Sequence, residues 1–357
     1  MLLSLNIKAY LLKKITNKKP VDFDLKDSKN VLFMRYDRIG DMLISTPVYR
    51  ALKNNFPEIN IIVLASRTNK DILSQNPYVD SVIINHKNNF FRDIISLIKL
   101  RKLRIDACIE FDHSVIPHAI MRLRIMNPKI VISVNKQGRY GVSGNELIMY
   151  DFFTDKPDHW HFRNIWLNTL NPFGINSTSL EYDLFISEYQ ERLALNFLKE
   201  FESKCKIGIN LEGAVVGKKI NSYELKKICE GIKKIHKDIQ VIILTTPENL
   251  MKITNMINKM SLNYVAPSYK TNKIQDLAAI IKNLDLIISP DTSVIHIASA
   301  FNKPVVSIHE NNIDSYELFS PVSKLHRTVF SPSNKGISGF SVAKVIEYSS
   351  DLLSKVS

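Results

Sequence analysis

The segment RYDRIGD (residues 35–41) places two arginines, two aspartates and a glycine directly after a short apolar run. A turn from a strand into a helix needs a glycine and one capping side chain, so these charges exceed what folding requires. An aspartate beside cations can act as a general base toward a hydroxyl group. Asp41 is the candidate base, with a helix N-cap as its alternative. Acceptor binding is the hypothesis for its three charged neighbours: Arg35, Asp37 and Arg38.

A second candidate cluster lies in SPDTSVIH (289–296), again directly after an apolar run. Asp291, Thr292 and Ser293 precede a short helical segment. Hydroxyl side chains and free N–H groups at a helix start suit a diphosphate. Ordinary capping is the alternative for these residues, and His296 alone is more often a packed histidine than a catalytic one.

Two more charged side chains follow strand-like runs. Lys218 comes after a glycine-containing loop and before a helix, where its charge would suit a phosphate, although a solvated lysine is the commoner case. The P-loop pattern GxxxxGK[ST] is absent. Glu248 could bind ribose hydroxyls, as acidic residues do in nucleotide folds, or it could stabilise the first turn of a helix.

The elements that must position these residues alternate between short β-branched runs and longer amphipathic segments, which is typical of parallel βαβ units. The predicted strands are 31–35, 60–65, 81–85, 107–111, 130–134, 206–210, 240–244, 262–266, 285–289 and 305–309. A stretch rich in proline and glycine separates two such series. The pattern predicts an α/β protein with two Rossmann-like domains, whose parallel sheets face a cleft and bind ligands at their carboxyl ends.

The same pattern predicts four segments. Residues 1–28 form a basic amphipathic segment, 29–178 an N-terminal Rossmann-like acceptor domain, and 179–340 a C-terminal Rossmann-like nucleotide-sugar domain. Residues 341–357 form a C-terminal helix, with packing onto the N-terminal domain as one option. In the first segment Leu3, Ile7, Tyr10 and Leu11 fall near one helical face, so this helix either lies on an anionic membrane or docks on the protein.

Composition narrows the class of protein. The chain has 357 residues, 45% of them hydrophobic, and a formal charge of +13, which favours anionic partners. Nucleic acid is disfavoured because no basic and aromatic platform accompanies the lysines. Three dispersed cysteines and the lack of an evident signal peptide or transmembrane run predict a cytoplasmic protein. No metal-binding motif is apparent.

The motifs together resemble glycosyltransferase family 9, the heptosyltransferases of lipopolysaccharide core biosynthesis. The resemblance lies in RYDRIGDMLISTP (35–47), NPYVDSVI (76–83), HWHFRNIWLNTLNPFGI (159–175) and DLIISPDTSVIHIASAFNKPVVSIH (285–309). It implies a GT-B fold and a metal-independent, inverting transferase without a cofactor, which uses a nucleotide-sugar such as ADP-heptose. The implied acceptor is a lipid-linked anionic glycan, reached from the cytoplasm or the inner face of the inner membrane.

The resemblance also assigns roles to matching positions. It implies that Asp41 is the general base, that Lys218 binds phosphate and that Glu248 lies near the ribose. For the donor sugar and diphosphate it implies four residues: Asp291, Thr292, Ser293 and His296.

The chain departs from the family pattern mainly on the donor side. Ser293 replaces a glycine, and HENN (309–312) replaces a glycine-containing loop, which puts Glu310 near the expected nucleotide. A transferase for a different nucleotide-sugar and an inactive glycan-binding homologue therefore remain as alternatives.

Overall fold

The computed structural model describes residues 2–86, 89–176, 178–213 and 217–355, with the side chains of residues 2–5 left out. The chain divides into two compact units, Met1–Tyr182 and Asp183–Ser357. The division falls four residues after the boundary predicted at 178.

The first unit is built on a six-stranded parallel sheet in the order β3-β2-β1-β4-β5-β6. Its strands are β1 Asn30–Arg35, β2 Asn60–Ala65, β3 Ser81–Ile84, β4 Ala107–Glu110, β5 Ile130–Val134 and β6 Phe152–Thr154. Its helices are α1 Leu2–Ile15, α2 Ile39–Asn55, α3 Phe90–Lys102, α4 Pro117–Met126 and α5 Phe162–Leu167. The first five strands agree closely with the predicted runs, whereas the short edge strand β6 was not predicted.

Both faces of this sheet are covered, which explains why its strands are apolar at nearly every position. On one face α1, α3 and α4 pack over side chains such as Leu32 and Ile62. On the other face, α2 and α5 contribute aromatic side chains, and Phe111 contacts both Phe33 and Trp166.

Helix α1 docks on the first unit. Leu12 of this helix is buried in the core, and the Lys13 ammonium pairs with Glu146. Just after the helix, Lys18 pairs with Asp151. Docking was one of the two alternatives for this segment. The side chain of Leu3, which belonged to the predicted apolar face, lies outside the described residues.

Helix α2 begins earlier than its sequence indicates. Gly40, expected in a tight turn, lies in the first turn of the helix, and Pro47 lies in its interior. A proline at this position removes the N–H that would bond to the carbonyl of Leu43. The buried Thr46 hydroxyl donates to that carbonyl at 2.7 Å, so the acceptor stays paired and the helix continues.

The second unit repeats this topology, with a parallel sheet in the order β12-β11-β10-β7-β8-β9. Its strands are β7 Cys205–Asn210, β8 Ile239–Leu244, β9 Val265–Pro267, β10 Leu286–Pro290, β11 Val305–His309 and β12 His326–Phe330. Its helices are α6 Glu188–Lys199, α7 Ser222–Ile235, α8 Leu250–Met260, α9 Ile274–Lys282, α10 Ser293–Ala300, α11 Ile313–Phe319 and α12 Val342–Leu353.

Two strands of the second unit differ from the sequence expectation. Strand β9 begins at Val265 and not at Leu262, because Ser261 ends α8 in a left-handed conformation and a turn follows it. The edge strand β12 was not predicted. The C-terminal helix α12 packs against α7 and three strands of its own unit.

We expect Thr46→Val to lower the free energy of unfolding by about 1–2 kcal/mol, because it leaves a buried carbonyl without its donor. The matched control is Thr254→Val in α8. The Thr254 hydroxyl also bonds to a helical carbonyl, that of Leu250, but no proline follows it. Urea denaturation of both variants checks the prediction, which fails if the two losses are equal.

Candidate functional site

The strand order of each sheet reverses direction once, and this position marks where ligands bind in open parallel sheets. In the first sheet the reversal lies between β1 and β4, whose last residues are Arg35 and Glu110. In the second sheet it lies between β7 and β10, which end at Asn210 and Pro290. The charged residues singled out in the sequence follow these strand ends.

Arg35 is a buried cation, with only 4% of its surface exposed. Its Nη2 lies 2.7 Å from the Asp37 carboxylate and 3.5 Å from that of Asp41. The guanidinium also lies over the Trp166 ring, 4.3 Å from its centre. Burial lowers the pKa of Arg35, but Asp37, Asp41 and Asp112 outweigh it and the net shift is upward. The predicted acceptor-side residues Arg35, Asp37 and Asp41 are therefore in contact.

Asp41 lies in the first turn of α2, and its Oδ2 accepts the backbone N–H of Arg38 at 3.3 Å. Asp41 is therefore not the N-cap, which is Arg38, but the third residue of the helix, whose carboxylate completes a capping box. The same carboxylate also faces Arg35, and 14% of the side chain is exposed. These two contacts fix the position of a carboxylate that is still partly open to solvent. The Arg38 residue is exposed at the N-cap position.

Sequence reasoning missed three ionisable residues beside this cluster. Glu110, at the end of β4, is almost fully buried, where it pairs with Lys136 and accepts the Ser133 hydroxyl at 2.9 Å. Asp112 follows it, and its backbone N–H donates to Glu110 at 3.0 Å. Burial and the charge of Glu110 raise the pKa of Asp112 to about 9. The sequence signal for this group was Glu110 itself, a charged residue inside the otherwise apolar run ACIEF (107–111).

In the second unit Lys218 is shared by two carboxylates. Its Nζ lies 2.6 Å from Asp291 Oδ2 and 3.8 Å from Glu310 Oε1. Each of the three side chains is between 12% and 23% exposed, so the cluster is accessible from solvent. Burial raises the pKa of Asp291, but the charge of Lys218 and its hydrogen bond to the carboxylate oppose this, and the net shift is downward.

Glu310 is fixed from its other side by a glycine contact. Its Oε2 accepts the backbone N–H of Gly336 at 3.0 Å. Gly336 has a φ of +86°, and a Cβ there would come within 2.8 Å of the Gly217 carbonyl. Only glycine fits at position 336. The close approach holds Gly217, the residue before Lys218, against the Gly336 loop that is bonded to Glu310.

His309 ends β11 beside this cluster and is also missed by sequence reasoning. It is only 3% exposed, and burial lowers its pKa to about 4, although the Asp291 charge opposes this shift. It is therefore neutral at physiological pH. His296 is buried in α10. The His309 imidazole therefore adds no full charge to the three groups around Lys218.

Hydroxyl groups link the strand ends of β7 and β10. Thr292 is the N-cap of α10, and it accepts the N–H of Val294 at 3.3 Å. Asn210 Nδ2 lies 3.1 Å from both the Thr292 and the Ser289 hydroxyls. Ser293 follows as the first residue of the helix. The capping alternative thus holds for Thr292, and the polar groups meet at the predicted strand end.

Glu248 is exposed. It lines a pocket of about 850 Å³ together with Tyr223, Lys226 and Met251. The neighbouring Asn249 donates to Glu212 at 2.5 Å, which ties this turn to the loop after β7. An apolar wall with one carboxylate and lysines suits a nucleoside.

Within the described ranges, no three His, Cys, Asp or Glu side chains form a group that could hold a metal ion. No helix in the same part of the chain is both long and apolar enough to cross a membrane.

Comparison with known proteins gives a family and a fold. Residues 99–338 match the family model described as glycosyltransferase family 9 (heptosyltransferase). Lipopolysaccharide heptosyltransferase 3 of Escherichia coli is 24% identical over 77% of this chain and 80% of its own. Lipopolysaccharide core heptosyltransferase OpsX of Haemophilus influenzae is 22% identical over 79% of each chain.

Solved structures share the two-sheet architecture. A glycosyltransferase of family 9 from Veillonella parvula superposes with a TM-score of 0.76 at 16% identity, over 93% of this chain and 99% of that one. E. coli heptosyltransferase WaaC with ADP superposes with a TM-score of 0.70 at 15% identity, over 92% and 99% of the two chains. These likenesses confirm the predicted GT-B fold.

We expect Asp112→Asn to stabilise the protein more at pH 8 than at pH 5. Between about pH 4 and pH 9, Asp112 is protonated in the folded state but ionised in the unfolded state, because its pKa is raised by folding. The contribution of Asp112 to the free energy of unfolding therefore falls as the pH rises toward 9. Asparagine is neutral in both states, and the gain at pH 8 should reach about 1–3 kcal/mol.

Chemical denaturation at both pH values measures this gain. Asp351→Asn is the control, because the Lys355 ammonium lowers the pKa of that exposed carboxyl, so it is ionised in both states at pH 5 and at pH 8 and its replacement should have the same effect at both. An equal effect of Asp112→Asn at both pH values would show that Asp112 titrates normally.

Proposed function

This chain belongs to glycosyltransferase family 9 and is a glycosyltransferase, and we propose that it transfers a sugar from a nucleotide-sugar to lipopolysaccharide core or a related surface glycan. The observation that supports this best is the pair of accessible charged clusters at the two positions where sheets of this kind bind ligands. The relatives that resemble the chain over most of its length are lipopolysaccharide heptosyltransferases.

In the proposed reaction Asp41 is the general base. The acceptor hydroxyl attacks the anomeric carbon from the face opposite the leaving group, its proton passes to Asp41, and the bond to the nucleoside diphosphate breaks, which inverts the configuration. Arg35 supports this role because its contact at 3.5 Å orients the carboxylate. Arg38 is exposed nearby and is proposed to attract acidic groups of the acceptor.

Lys218 and the start of α10 are the proposed binding groups for the leaving diphosphate, with Thr292 and Ser293 as hydrogen-bonding partners. Glu248 and its pocket are proposed to hold the nucleoside. Asp291 and His296 complete the donor site beside the sugar. No cofactor takes part in this scheme.

ADP-heptose is the first candidate donor. A different nucleotide-sugar is the second candidate, and the two carboxylates around Lys218 support it. Because Asp291 and Glu310 share one lysine, the three groups carry a net negative charge, which binds sugar hydroxyls better than a diphosphate.

The proposed acceptor is a lipid-linked anionic glycan, and the proposed location is the cytoplasm, at the inner face of the inner membrane. The formal charge of +13 supports an anionic partner. The three free cysteines agree with a reducing compartment.

The first test separates donor binding from transfer. ADP-heptose, ADP and UDP-, GDP- and CMP-sugars are added to the wild-type protein and to Asp41→Asn. Thermal shift reports binding, and product formation on a truncated lipopolysaccharide reports transfer. We expect one donor to stabilise both proteins equally. Transfer by the variant should fall by about 10²–10⁴-fold, the usual contribution of a general base.

Asp22→Asn is the matched control, since Asp22 is an exposed aspartate of the same unit, and it should transfer normally. Full activity of Asp41→Asn would refute the general base. If no nucleotide-sugar shifts the melting temperature, the protein is the inactive glycan-binding homologue and the transferase proposal fails.

A second prediction concerns Glu310. Glu310→Gln keeps an acceptor for the Gly336 N–H but removes a negative charge 3.8 Å from Lys218. A free nucleoside diphosphate should then bind about three- to tenfold more tightly, because less carboxylate charge opposes it. Calorimetric titration with ADP, or with the diphosphate of the donor found above, measures this change.

Glu347→Gln on α12 removes the same charge at an exposed position and should leave the affinity unchanged. Equal affinity of Glu310→Gln and the wild-type protein would place the diphosphate away from Lys218.

A further inference from the structure

Helix α3 carries an apolar surface that faces solvent. Phe90 and Phe91 are 74% and 78% exposed, and Ile95 and Ile98 are 54% and 43% exposed. Four large apolar side chains on 13 residues of one helix are unusual on a water-facing surface, where such residues normally occur singly. This α3 stripe consists of Phe90, Phe91, Ile95 and Ile98.

Most of the stripe is separate from the face by which α3 packs. Phe91, Ile95 and Ile98 follow one another at intervals of four and three residues, so they lie on one side of the helix. Leu97 and Leu100 point to the opposite side, where they are buried against the sheet. Phe90 precedes Leu97 by seven residues and so lies toward the packed side, but at the start of the helix it is 74% exposed. None of the four side chains is therefore needed to hold α3 on the protein.

Positive charge borders the stripe. The basic residues of α3 are Arg92, Lys99, Arg101 and Lys102. Its single acidic residue, Asp93, has its charge offset by Arg122 of α4 at 2.8 Å. An exposed apolar stripe with lysines and arginines beside it matches a surface of lipid tails and anionic headgroups.

The neighbouring helices extend this character. Helices α1 and α4 cover the same face of the first sheet as α3, and α4 contacts both of them. Neither contains an acidic residue. Helix α1 exposes Ile7, Tyr10 and Leu11, and α4 exposes Met121. The three helices form a layer with exposed apolar side chains and a large excess of basic ones.

We propose that this helical layer, with the α3 stripe at its centre, binds the surface of an anionic lipid bilayer. Phe90 and Phe91 begin α3, which follows β3, so they lie at the carboxyl edge of the sheet that also carries Arg35 and Asp41. Docking by this surface places the candidate acceptor site beside the membrane. The proposal goes beyond sugar transfer, because the surface contains none of the residues assigned to the reaction.

Vesicle co-sedimentation of the full chain tests the proposal. The vesicles contain phosphatidylcholine alone or with one third phosphatidylglycerol. We expect binding to the anionic vesicles only, weakening with added salt. Phe90→Ser/Phe91→Ser should lower the partition coefficient about tenfold or more, since two exposed rings no longer insert. Lys99→Gln/Lys102→Gln should lower it several-fold and reduce the salt dependence.

Tyr189→Ser is the control, because Tyr189 is an aromatic residue 63% exposed on α6 of the other unit, and this variant should bind vesicles normally. Unchanged melting temperatures show that the variants are folded. Wild-type protein that ignores anionic vesicles would overturn the proposal, as would normal binding by the double phenylalanine variant. Dimers that dissociate in that variant, without vesicle binding, would assign the stripe to self-association. Donor binding is measured separately and is unaffected by either failure.

Discussion

The structure of the first unit depends on neutralising a cation buried at the end of a central strand. A guanidinium taken out of water must have carboxylates or ring faces around it, or its burial would cost more than folding supplies. Arg35 has all of these: Asp37 and Asp41 on one side and the Trp166 ring on another. The requirement links the turn after β1 to α5, far apart in sequence, and it fixes the carboxylate of Asp41.

The second unit uses the same position in its sheet with a different charge balance. Its central lysine is outnumbered by carboxylates, and the nearby His309 is kept neutral by burial. Because Lys218 is already paired with two carboxylates, it has little positive charge left for a diphosphate. Binding of the donor would then depend more on the N–H groups at the start of α10 and on hydrogen bonds to the hydroxyls of the donor. The departure HENN, noticed in the sequence, therefore changes the charge of the cluster and not merely the shape of a loop.

The two sheets and the helical layer present different kinds of side chain to solvent. Charged side chains that follow different strands meet at one edge of each sheet, because all strands of a parallel sheet have their carboxyl ends at the same edge. The layer of α1, α3 and α4 covers one face of the first sheet and is apolar on both of its sides. One side is needed for folding, and the other presents apolar side chains bordered by basic ones to solvent.

The sequence by itself determined the βαβ rhythm, most strand positions and the strand ends at which Asp41, Lys218 and Asp291 lie, because buried parallel strands leave continuous apolar runs. It could not reveal β6 or β12, which are short and partly exposed edge strands. Only the tertiary structure decided that Lys218 is shared with Glu310, and that Phe91 and Ile98 are left exposed. Such outcomes depend on contacts between distant segments and on which side of a helix its neighbours cover, and local patterns carry neither.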